Sequence, residues 1–129
     1  MKKLLTLAVS LFVLTIASVQ AQRQVWVEME EFHKVMGATF HPAEEGRLDP
    51  IKTRSGEMLE KAKAWKRSEA PAGYDKNAVN GSLKDLVKGA RKLDKMVKEK
   101  ASDEAITAQL TKLHDIFHEI MDHARKKST

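Results

Sequence analysis

Residues 102–124 read SDEAITAQLTKLHDIFHEIMDHA. Ile106, Leu110, Leu113, Phe117, Ile120 and Ala124 recur at steps of three and four, which puts them on one face of an α-helix. Ser102 stands where an N-cap belongs, and Asp103 and Glu104 follow in the first turn. Arg125, Lys126 and Lys127 close the run. Negative charge at the start and positive charge at the end both suit the helix dipole.

Three earlier stretches carry the same period. From about Val25 to Phe40, the residues Val25, Met29, Phe32, Met36 and Phe40 share a face, and Pro42 and Gly46 interrupt the pattern. A second stretch starts with Asp49 as N-cap and Pro50 at the first helical position, with Ile51, Met58, Ala62 and Trp65 as its inner stripe. Pro71, Gly73 and Tyr74 form the connection beyond it. A third stretch follows Asp75, with the stripe Val79, Leu83, Leu86, Ala90, Leu93 and Val97. Gly81 and Gly89 fall inside it and are tolerated at about 1 kcal/mol each. No stretch alternates with period two. Each helix alone is marginal in water, so a shared core must hold them. Four amphipathic helices with short links predict an all-α, up-down-up-down four-helix bundle.

The chain has 129 residues, no cysteine and a formal charge of +5. One domain fits that length. Without cysteine there is no disulfide framework, no thiolate metal site, no cysteine nucleophile, no covalent c-type haem attachment and no acylated lipoprotein anchor. Residues 1–21 read as a signal peptide: Lys2 and Lys3, an apolar run from Leu4 to about Ala17, and Val19-Gln20-Ala21 as a cleavage site. The run is too short to span a bilayer core of about 30 Å with flanks. Cleavage after Ala21 leaves the bundle domain 22–129 with a charge of about +3, and the expected location is the periplasm. That mild charge calls for neither nucleic acid nor a membrane surface.

Five histidines carry the chemical signal: His33, His41, His114, His118 and His123. His114 and His118 at i, i+4 share one flank of the last stripe, the spacing of a two-ligand metal grip. Zinc, copper and nickel accept imidazole and carboxylate ligands. His33 follows Glu30 by three residues, as in carboxylate-bridged di-iron bundles, but the second and third stripes offer no matching carboxylates. His41 and Glu44, beside Pro42 and Glu45, could hold a metal from a loop. At 1.5 Å per residue, His33 lies roughly 15 Å and His114 roughly 18 Å from one end of the bundle, with Met29 at roughly 9 Å and His118 at roughly 12 Å. This pairs His33 with His114 and Met29 with His118.

The segment Phe117-His118-Glu119-Ile120-Met121, late in the last helix of an exported bundle, resembles the haem-ligand segment of the cytochrome b562 and cytochrome c′ group. The resemblance implies a haem between the helices with His118 as proximal ligand, and Met29 matches the methionine that b-type members add from the first helix. The positions of the c-type cysteines hold His114 and Phe117, and Met121 replaces the usual basic residue. Haem b therefore remains where covalent haem does not, and the extra His114 favours a metal ion.

Catalysis has little support, because no Gly-x-Ser-x-Gly and no phosphate loop occurs. The lysines of 84–100 are interrupted by Asp85, Asp94 and Glu99 and read as a solvated face. The methionines read as packing rather than copper(I) ligands. The expected function is thus non-enzymatic binding of haem b or a transition metal through His118, Met29, His114, His33, His41 and Glu44. Haem implies electron transfer with a redox partner protein, and a metal ion implies storage or resistance. The expected state is a monomer or homodimer, without nucleic acid or stable membrane association. The competing class is a cofactor-free interaction or stress protein.

Overall fold

Ser102 opens the last helix as its residue type demands, its hydroxyl accepting the Ala105 N–H at 3.1 Å. In the computed structural model, which describes residues 24–127, that helix is the last of four: α1 Val27–Glu44, α2 Asp49–Arg67, α3 Asn80–Lys98 and α4 Asp103–Ala124. A 3-10 turn, Lys76–Ala78, leads into α3, and the Asp75 side chain accepts the Ala78 N–H ahead of it. The leader read from residues 1–21 lies outside the described residues. No helix among the described residues is long and apolar enough to cross a membrane.

Each helix packs on its sequence neighbour, and α4 closes back on α1. The diagonal pairs make no close backbone approach, so the arrangement is an all-α four-helix bundle. The core is built mainly from the four stripes, including Phe32, Met58, Leu86 and Leu113, with Trp26, Leu48 and Tyr74 added from outside the helices.

Two positions depart from the helical wheel. Val25 precedes α1 and is 58% exposed, while Trp26 beside it is fully buried. Trp26 packs edge-on against Trp65 at 6.0 Å, and its Nε1–H donates to Ser68 Oγ at 2.8 Å. Val97, expected at the end of the third stripe, is only partly buried.

Two helix ends also differ from expectation. The first helix runs through Pro42 and stops two residues later. Only Ala38 loses a helical N–H partner there, and the end is satisfied by a Schellman turn. Gly46 adopts φ +84°, its N–H donates to Ala43 O at 3.0 Å, and the Arg47 N–H donates to Pro42 O at 2.9 Å. Leu48, not Asp49, is the cap of α2, and the Asp49 side chain makes no capping bond.

The seams differ in what fills them. At α3–α4, Gly89 lets the helices close: a Cβ there would meet Leu113 Cδ2 at 2.6 Å, and Gln109 Nε2 donates to the Gly89 carbonyl at 3.1 Å. At α2–α3, the buried Asp94 accepts from Ser55 Oγ at 2.9 Å and pairs with Lys98 Nζ at 2.8 Å. At α1–α4 the fillers are rings, with Phe32 on Phe117 at 5.6 Å and Phe40 on His114 at 3.8 Å. Rings hold backbones apart, and this seam is the loosest of the four.

Candidate metal centre between the first and last helices

Three residues at four-residue intervals, His33, Gly37 and His41, fall on one face of α1. They face His114 and His118 of α4 across a cleft of about 190 Å³. Met36, Phe40 and Phe117 complete its walls. The ring contacts across the cleft differ from the expected pairing of His33 with His114. His33 stacks near Phe117, ring centres 5.0 Å apart, and Phe40 stacks on His114. α1 starts at Val27, later than the periodicity suggests, and Trp26 is buried just ahead of it.

The central contact lies between the two histidines of α4. Nε2 of His118 and Nε2 of His114 are 3.1 Å apart. One ring carries the proton and the other accepts it, so at most one Nε2 is protonated in this arrangement. The Phe40 ring lies flat on His114, at 11° between planes, and fixes its orientation. Burial, and then the neighbouring His118, hold the His114 pKa below the ordinary histidine range, with Asp115 and Glu44 opposing. Both effects favour the neutral imidazole of His114, the form that ligates metal.

The two histidines of α1 stand at the rim. His41 Nδ1 faces Glu44 Oε1 at 3.5 Å, and His33 Nδ1 faces Glu30 Oε2 at 4.0 Å. The Cδ2 edge of His41, to which Nε2 is bonded, faces Gly37, where a Cβ would lie 3.8 Å away. A carboxylate thus stands beside the Nδ1 of each ring, within ion-pair distance. Glu45 is drawn away by Arg47 at 2.7 Å. His41 and Glu44 belong to the last turns of α1, not to a loop. Among the described residues, no three histidine or carboxylate side chains converge closely enough to hold an ion together. The cleft thus brings the two imidazoles of α4 into contact, with two further imidazoles at its edge.

Met29 is elsewhere. It is 4% exposed, packs in the core and does not line the cleft. Phe32, Phe117 and Trp65 stack together behind the cleft at 5.6–6.0 Å, filling the interior next to His118. In this structure these rings occupy the interior beside His118, and Met29 lies apart from the cleft.

Sequence reasoning named the histidines and passed over Gly37 and Phe40 as cleft residues. The signal for Gly37 was present, midway between two histidines at helical spacing. Comparisons with family models, with curated proteins and with solved structures return no match.

Proposed function

We propose that this protein holds a divalent transition-metal ion in the α1–α4 cleft. His114 and His118 supply two adjacent imidazole ligands, and His33 and His41 swing in from the rim to complete the set. The observation that carries this is the Nε2 to Nε2 separation of 3.1 Å. With metal–nitrogen bonds of about 2.0–2.1 Å, that separation subtends about 95–100° at the ion. Adjacent positions of a square or octahedral centre have this angle, which suits copper(II) or nickel(II). Copper(II) is the tightest binder of nitrogen sites in the divalent series. A tetrahedral zinc centre needs a slightly wider spread, within reach of a small side-chain rotation. The role that follows is metal storage or resistance. Export through the leader of residues 1–21 is part of the same proposal.

The test is a titration of the purified protein with copper(II), followed by calorimetry and electron paramagnetic resonance. One equivalent is expected to bind with a nitrogen-ligand spectrum. Replacing both His114 and His118 with alanine is expected to weaken binding about 100-fold, or about 2.7 kcal/mol. Circular dichroism of the double variant checks that the bundle is intact. Equal affinity in the double variant, or no uptake by the natural sequence, overturns the proposal.

A further inference from the structure

We infer that the groove between α3 and α4 is a binding site for a small multivalent oxyanion, such as a di- or triphosphate group. In the sequence, the lysines of 84–100 form a face diluted by Asp85, Asp94 and Glu99. The fold takes two of those three acids away from it. Asp94 is buried against α2, where it accepts from Ser55 and pairs with Lys98. Glu99 follows the end of α3 and faces Lys95 at 4.0 Å. What remains is a groove of about 530 Å³, with Lys88 and Lys92 of α3 on one wall and Lys112 of α4 on the other. Asp85 is its one carboxylate. Lys88 and Lys92 stand about one helical turn apart.

Several lysines elsewhere are paired: Lys52 with Asp103 at 2.8 Å, Lys63 with Glu60 at 3.2 Å and Lys61 with Glu31 at 3.6 Å. Among the described residues, no carboxylate, Asp85 included, comes within 4.0 Å of the Lys88, Lys92 or Lys112 ammonium. Three like charges around one concavity repel one another, and an anion between them turns that repulsion into attraction. The lining adds a buried donor. Gln109 is 8% exposed and lines the groove. Its amide nitrogen carries two hydrogens, and one of them goes to the Gly89 carbonyl at 3.1 Å. That bond fixes which end of the amide is nitrogen. The second N–H has no acceptor among the described residues. A spare donor beside three unpaired cations calls for an oxygen carrying negative charge. Three lysines and one aspartate leave the lining at +2, so the matching ligand carries two or more negative charges. The volume lies within the range of small-ligand pockets, roughly 300–1,000 Å³.

Inorganic triphosphate serves as the probe, titrated calorimetrically into the metal-free protein at low ionic strength. One equivalent is expected to bind, more weakly as salt is added. Lys88→Gln combined with Lys112→Gln is expected to weaken binding at least about tenfold, and Asp85→Asn to strengthen it about twofold. Lys66→Gln combined with Lys100→Gln removes the same net charge outside the groove and is expected to change affinity by less than about twofold. All four lysines are exposed, so both double variants are expected to keep the melting temperature of the natural sequence. Absence of saturable binding overturns the inference. So does an equal loss in the two double variants, which assigns the attraction to net charge rather than to the groove. Neither result bears on the metal reading, because the titration contains no metal.

Discussion

Gly89 and Gly81 lie in the same helix and have opposite meanings. Both carry the conformational disadvantage of glycine, about 1 kcal/mol against alanine. At Gly81 an added methyl meets nothing within 4 Å, so Gly81→Ala is expected to stabilise the protein by up to about 1 kcal/mol. At Gly89 the methyl drives into Leu113, which is fully buried and has no room to retreat. Overpacking of this kind costs about 1–3 kcal/mol, which exceeds the propensity gain. Gly89→Ala is therefore expected to lose about 1–2 kcal/mol net, a drop of several degrees in melting temperature. Thermal unfolding of the two variants side by side checks the pair. From the sequence the two glycines look alike, because each is a break in a helical stripe. What separates them is the distance to a neighbouring helix, and one helix's periodicity does not contain that distance.

At the scale of elements, the four helices were legible because their stripes obey one period, and apart from Val25 and Val97 the stripe residues lie in the observed core. The ends were less legible. Trp26 is buried from a non-helical position, where no wheel can place it, and α1 starts two residues later than its stripe suggests. The histidine pair of α4 was legible because its spacing lies within one helix. Phe40 stacking on His114 was not, because it depends on which face α1 turns toward α4. The tie between α2 and α3 is of the same kind. Asp94 is buried, and its folded pKa is lowered by the hydrogen bond from Lys98 and then by that from Ser55, against the opposing effect of burial. The unfolded carboxyl titrates near its ordinary value, about 3.9. The tie thus contributes stability above about pH 4 and loses it as pH falls through the lower folded pKa. Asp94→Asn is expected to cost about 1–2 kcal/mol at pH 7 and little at pH 2. Urea denaturation at both pH values measures the difference, and an equal loss at both assigns the effect to packing.

For the molecule as a whole, the α1–α4 seam is unlike the other three. Those seams join helices that follow one another along the chain, so each can zip up as a local hairpin. The fourth joins the first helix to the last, and it can form only after all of α2 and α3 has been spanned. Closure over a long loop is entropically slow and late in folding. The cleft proposed to hold metal lies on that seam, so the site is expected to assemble late in folding and to open early in unfolding. A ligand that bridges it acts after the rate-limiting step of refolding. Saturating copper(II) is expected to slow unfolding several-fold and leave the refolding rate unchanged in stopped-flow denaturant jumps. An equal acceleration of refolding would place the seam in the folding nucleus instead. The loosest contact in the bundle, set by a few stacked rings, thereby becomes a latch: bound metal would lengthen the lifetime of the folded chain without changing how it is reached.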